Sequence, residues 1–415
     1  MSDTFIEAAL EDLKQAEALL ASNPQIGSSF HGALVLGDAE KIDGALRESP
    51  ALALQKSGPR DWEPLLYVCF SRFASRASGR ARNFAAAARV LLRHGANPNA
   101  HCIDPQWPDW PLSCLYGATG LNNNVELGRV LLEAGANPND GESLYHSTEH
   151  ADLECIRLLL EHGASAKNTN VLHHMLDRES IEGIRLLLKA GADPDQLNPA
   201  NPSHESSLHF AVNHARSAAI IAELLNAGAS IDLKRSDGRT AYALTWRSGQ
   251  FETARLLESR GASLEMAEVD RLLGNAQAPR ADGSEEARQA LSQALTSEND
   301  RLLPDLASMH CSAAVRALLD AGVSVDARGE RGETALHWAC WKAFDDLIEL
   351  LLSRGAALTF DEQAFPATPA GWLAHGCVNH PGCEDEYRKC AQLLLAAGGT
   401  FTSDDRQKLL DRKIL

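Results

Sequence analysis

Two clusters have the residue types and spacing of ligating or proton-transferring groups. In "YHSTEH", residues 145–150, His146 and His150 stand four apart with Glu149 between them, so a helix would set both imidazoles on one face. His174 and Asp177 follow three apart, and His214 lies further on. Two histidines and a carboxylate with open positions suit Zn²⁺ or Fe²⁺. Glu149 or Asp177 would then be a ligand, or a general base acting on a small-molecule substrate. The second cluster is His375, Cys377, His380 and Cys383, a donor set that can close a tetrahedral zinc site, although the spacing fits no standard finger. A plain reading stands beside each: polar side chains facing water or a partner, and reduced thiols in a polar insertion. Short histidine motifs often arise with no metal attached. The chain has no G-x-x-x-x-G-K-[ST], G-x-G-x-x-G or G-x-S-x-G, so nucleotide-dependent and α/β-hydrolase chemistry lacks motif support.

The elements carrying these residues repeat. A phrase close to "LL-x-x-G-A" recurs, as in "LLRHGANPN", "LLEAGANPN", "LLEHGASAK", "LLKAGADPD" and "LLDAGVSVD", with its glycine at 95, 135, 163, 191, 228, 261, 322, 355 and 398. The unit is near 33 residues, with two shortened copies of 28 (135–163 and 163–191) and a 61-residue interval (261–322) that conceals a degenerate copy. Each glycine follows an amphipathic run and suits a left-handed helix C-cap. Upstream lies a shorter helix, as in "ETALHWACWK", "SSLHFAVNHA" and "NVLHHMLDRE". Extra residues enter between first and second helix near 72–82, 118–124 and 377–385. The first of these carries Arg72, Arg76, Arg80 and Arg82, either a solvated loop or a clamp for a small anion.

With Thr334-Ala335-Leu336-His337-x-Ala339, Ser207-Leu208-His209-x-Ala211 and Thr368-Pro369, the chain resembles the ankyrin-repeat family, as a degenerate, bacterial-type, multi-repeat member. The resemblance covers roughly residues 28–402. It implies an all-α, ankyrin-type helical-repeat solenoid of about eleven helix-turn-helix repeats with short β-turn fingers, and a family habit of binding proteins in a concave groove. It further implies that His173, His209 and His337 are structural. Carried over copy by copy, one groove row is Tyr67, Cys114, His146, His174, Phe210, Leu244, Trp338 and Trp372. The second is Phe70, Gly117, Glu149, Asp177, Asn213, Arg247, Trp341 and His375. The expected partner anchors are Tyr67, His146, His174, Phe210, Trp338, Trp341 and Trp372, since aromatic side chains are common interface hot spots.

The net charge of −17 disfavours nucleic acid and favours a basic protein partner. The first residues, "MSDTFIEAALEDLKQAEALL", are acidic and amphipathic and do not read as a secretory signal; no apolar run is long enough to insert into a membrane. Nine scattered cysteines read as reduced thiols in a cytoplasmic protein. The expected organisation is degenerate capping repeats over 1–60, repeats with shortened fingers over 61–196, further repeats over 197–267, a degenerate repeat or hinge over 268–298, and C-terminal repeats with a cap over 299–415. Breaks are expected at "QLNPANPSHE" (196–205) and "QAPRADGSEE" (277–286). Two functions remain: a scaffold binding a protein in its groove, and an enzyme-like site on the first helices of 141–215.

Overall fold

The computed structural model describes residues 2–104, 107–197, 205–277, 284–295, 301–359, 367–380 and 382–415; most of the two expected breaks lies outside these. The chain forms two compact units, Met1–Asn198 and Pro199–Leu415, each a succession of helix pairs.

In the first unit the pairs include Pro64–Phe70 with Ala81–Arg93, Ser143–Ser147 with Glu154–Glu161, and Val171–Asp177 with Ile181–Lys189. In the second they include Ser207–Asn213 with Ala218–Asn226, Ala335–Trp341 with Asp345–Ser353, and Pro369–Asn379 with Glu384–Ala396. The degenerate copy is also a pair, Glu268–Gln277 and Ser284–Ala294, whose Leu272, Leu273 and Leu291 join the core of the second unit. The recurrent leucines fill both cores: Leu91, Leu131, Leu159, Leu187, Leu224, Leu318, Leu351 and Leu394 are fully buried, each contributing roughly 1.5–3 kcal/mol of transfer free energy.

Each second helix stops as the sequence implies. At Gly95 (φ +88) the amide donates to Leu92 O at 3.0 Å and Ala96 N to Leu91 O at 3.1 Å, the two bonds of a Schellman cap. Beyond the cap, side chains tie each finger to the next. Asn99 accepts from Asn137 N (2.7 Å), Asn139 from Ser165 N (2.7 Å), Asp232 from Ser263 N (2.8 Å) and Asp326 from Ala357 N (2.9 Å).

One finger departs from the short turns expected. His101–Asp104 (β1) pairs antiparallel with Trp107–Ser113 (β2), Cys102 opposite Leu112, with a bulge after Ile103. This hairpin absorbs most of the extra length that the sequence suggested near 118–124. Ser113 therefore caps the next helix, accepting from Tyr116 N at 2.9 Å, and the groove positions of this copy move from Cys114 and Gly117 to Gly117 and Gly120. The other two insertions sit between first and second helices as expected.

His209 and His337 set the entrance of their helices. His337 Nε2 donates to Ala367 O at 3.0 Å while Nδ1 accepts from Thr334 N at 3.1 Å; His209 repeats this with Leu233 O (2.9 Å) and Ser206 N (3.3 Å). Only a neutral ring protonated at Nε2 makes both bonds. Burial above all pushes both side chains down to about 4 from 6.5. The unfolded chain takes these protons first. Their contribution to stability is complete above about pH 6.5 and is lost as pH falls toward 4, at about 1.4 kcal/mol per pH unit for each ring. Urea midpoints recorded from pH 7.5 to 4.5 should fall, and fall less steeply in His209→Gln/His337→Gln. Equal slopes would refute this account.

Candidate functional site

In the Met1–Asn198 unit the first helices carry a run of aromatic rings. Trp62 lies 5.4 Å from Phe70, Phe70 5.9 Å from Tyr116, Tyr116 5.1 Å from His146, His146 5.1 Å from Tyr145, and Tyr145 4.9 Å from His174. Gly120 lets the run close, because a Cβ there would stand 2.8 Å from the Tyr116 ring and 2.9 Å from His146 Cβ. Trp62, Tyr116, Tyr145, His146 and His174 are half-buried, so part of each ring faces out.

Carboxylates line this run. His146 Nδ1 lies 2.9 Å from Glu149 Oε1 and Nε2 3.1 Å from Glu142 Oε2. Burial first, then the field of Glu149 and Glu142, raises the Tyr116 and Tyr145 phenols above their ordinary range. His150 Nε2 donates to Gly120 O at 2.6 Å, and His174 Nδ1 pairs with Thr148 Oγ1 at 2.5 Å. The histidines expected to converge on one ion thus turn four of their ring nitrogens to four separate partners. His214 belongs to the other unit, its Nδ1 on Phe210 O at 3.0 Å and its ring stacked on Phe210.

In the Pro199–Leu415 unit three indoles meet. Trp372 lies 5.2 Å from Trp338 and 5.9 Å from Trp341, both nearly edge-to-face, and His375 lies 5.5 Å from Trp341. All three tryptophans are half-buried and His375 is exposed. The insertion at 377–385 props this cluster. The fully buried Tyr387 donates to Trp341 O at 2.5 Å and pairs with His380 Nδ1 at 3.0 Å, and Gly376 leaves room for that carbonyl. The second expected metal set is dispersed by the same packing. Cys377 is buried with its thiol on Ala374 O at 3.1 Å, His380 faces Tyr387, and Cys383 is exposed at a helix start. Among the described residues no group of three His, Cys, Asp or Glu side chains is placed to hold a metal ion.

Other groove expectations change because their side chains lie inside. Tyr67 is fully buried, its hydroxyl donating to Ser57 O at 2.9 Å, and Phe210 is only 8% exposed; neither offers a partner an anchoring face. Leu244 and Asn213 are buried as well. Arg247 is enclosed with its Nε 3.8 Å from Asp270 Oδ1, and burial pushes it down to about 10. It edges a buried ionic chain running from Glu205 through Arg235, Asp237 and Arg239 to Asp270. The sequence reading missed Tyr116, Tyr145, Glu142 and Tyr387; a register anchored on Ser113 as a helix cap would have placed Tyr116.

Models described as ankyrin repeats (three copies) and ankyrin repeats (many copies) match residues 115–198 and 303–352. The chain carries ankyrin repeats over these stretches. Repeats of this family are in general protein–protein interaction modules. The human ankyrin repeat, SAM and basic leucine zipper domain-containing protein 1 is 38% identical over 84 residues, 20% of this chain and 16% of that protein. The sheep protein of that name is 32% identical over 112 residues, 27% and 20% of the two chains. The chain therefore spans only a small part of these relatives. The solved ankyrin repeat domain of Bcl-3, a member of the IkappaB family, is 20% identical with a TM-score of 0.25, covering 67% of this chain and 96% of that one. Among the described residues no helix is long and apolar enough to cross a membrane.

The Tyr387 hydroxyl is a prop whose removal is measurable. Tyr387→Phe leaves the buried Trp341 carbonyl without this donor and should cost about 1–2 kcal/mol in urea unfolding, with a shifted tryptophan emission in the native state. Unchanged stability and emission would mean the bond does not hold Trp341.

Proposed function

We propose that this chain is a scaffold that binds a protein partner through the first-helix faces of its repeats. The observation that carries this reading is the cluster of Trp338, Trp341 and Trp372. Three large rings are held half-exposed by a buried support, and tryptophan anchors of this kind dominate binding energy at protein interfaces. Tyr116, Tyr145, His146 and His174 supply a second set of anchors in the Met1–Asn198 unit. The partner is basic at its contact, because the chain carries a net charge of −17 and the second set is bordered by Glu142 and Glu149. Seven of the nine cysteines are buried as free thiols, which supports a reducing, cytoplasmic setting. The enzyme-like reading of 141–215 is the weaker one, since among the described residues no three His, Cys, Asp or Glu side chains there are grouped to hold a metal ion.

The test compares proteins retained from a lysate of the source organism by the wild-type chain, by Trp338→Ala/Trp341→Ala, and by a second-helix control, Glu349→Gln. A partner lost at least tenfold with the tryptophan pair and kept by the control is the expected result. If no retained protein changes between the three, the reading fails.

A further inference from the structure

The first-helix face of the Met1–Asn198 unit differs from the tryptophan cluster in one respect: every ring in its exposed middle is next to a carboxylate or to a ring that is. At one end, Arg60 lies over the Trp62 ring, its guanidinium carbon 5.0 Å from the centroid, and Nε donates to Glu7 Oε2 at 2.8 Å while Glu11 takes a second N–H. This is a planar cation flat on an aromatic face with carboxylates at its edge, an arrangement favoured by the ring quadrupole and by paired charge together. Further along the same run the pattern recurs. His146 sits between the Tyr116 and Tyr145 rings with a carboxylate at each nitrogen, and Glu149 is 43% exposed at its side chain. Twice on one face, then, a flat nitrogen group is clasped between aromatic rings and glutamates, in each case by residues of the chain itself.

Two of the cations nearby are committed elsewhere, while Arg72 is close enough for its charge to act on the Tyr116 phenol. Arg60 is held by Glu7 and Glu11, and Arg178 Nη2 donates to the main-chain oxygen of Glu149 at 2.5 Å, leaving the carboxylate to His146. Asp177 is exposed at the far end of the run, and Glu63 is half-buried beside Trp62. The face therefore presents alternating rings and negative groups over several repeats.

We propose that this face takes an extended basic segment of the protein partner, whose arginine or lysine side chains lie over Tyr116 and Tyr145 and pair with Glu142 and Glu149. The inference rests on the protein-binding reading and names the chemistry of its occupant. His146 is the internal competitor for the same two carboxylates, so an incoming guanidinium takes over the bonds that its ring nitrogens make. The segment is extended because the acceptors are spread across successive first helices.

The test uses the full chain and a fluorescein-labelled nine-residue peptide alternating arginine and serine, followed by anisotropy in about 50 mM salt. A second peptide carries citrulline in place of arginine, which keeps shape and removes charge. Binding of the first peptide but not the second is expected, weakened at least tenfold by Glu142→Gln/Glu149→Gln and by Tyr116→Ala/Tyr145→Ala. The control is Glu126→Gln/Glu133→Gln on the second helix Val125–Glu133, which changes net charge equally and should leave binding within about twofold. Should the tyrosine pair fail to fold by circular dichroism, the glutamine pair alone decides. Equal loss in the control pair would mean attraction to net charge only and would overturn the proposal, as would absence of binding or equal affinity for the citrulline peptide. Either failure leaves the broader reading intact if Trp338→Ala/Trp341→Ala still releases the natural partner. If the tryptophan pair releases nothing while the arginine peptide binds as expected, the broader reading fails and the basic site stands.

Discussion

A helix pair of this size cannot satisfy its own turns, so everything rests on side chains that reach the backbone of the following repeat. Asn99, Asn139, Asp232 and Asp326 each accept an amide from the next finger, while His209 and His337 each donate to a carbonyl beyond their own helix. The bonds to Asn99, Asn139 and Asp232 lie at the surface, while those of Asp326, His209 and His337 are half-buried, and breaking one of the latter leaves a polar group partly shielded from water. The leucines of the second helices supply most of the transfer free energy, but a hydrophobic stack alone would slide. The polar bonds fix the register, and with it which residues of each first helix face outward.

That register explains why two aromatic surfaces survive half-exposed. Rings this large would be pulled inward unless something beneath them were already filled. Below the tryptophans it is Tyr387, fully buried and bonded to Trp341 O. In the other unit it is the helix interval Gly117–Leu121, a π-helical turn whose glycines let neighbouring repeats approach within contact of Phe70, Tyr116 and His146. Support from below and crowding from the sides leave one edge or face of each ring to the outside, which is how an anchor is kept ready at little ordering cost.

Between residues 205 and 277 the same rows turn inward. Glu205, Arg235, Asp237, Arg239 and Asp270 form a chain of ion pairs with most members shielded from water, and Arg247 closes on it. Arginine at this depth is tolerable because each charge has a neighbour of opposite sign. The inner positions of these repeats are given to ion pairing and packing within the stack.

The sequence by itself determined the repeat, its period, the glycine C-caps and the fully buried leucines, because these are local: a cap needs a left-handed residue, and an amphipathic helix needs its apolar stripe. Resemblance to the ankyrin motif implied that His173, His209 and His337 are structural, and the bonds of His209 and His337 agree with it. Only the tertiary structure decided what His150 and His174 do, since His150 Nε2 and His174 Nδ1 meet Gly120 O and Thr148 Oγ1 of other repeats, while His146 meets Glu142 and Glu149 of its own. It decided likewise that Tyr67 and Phe210 are interior while Trp338 and Trp372 are not, although all four stand in the same row of repeat positions. Equivalent spacing gives equivalent direction along a helix; whether a side chain then meets water or a neighbour depends on what insertions such as the β1–β2 hairpin and the 377–385 segment pack against, which no local pattern encodes.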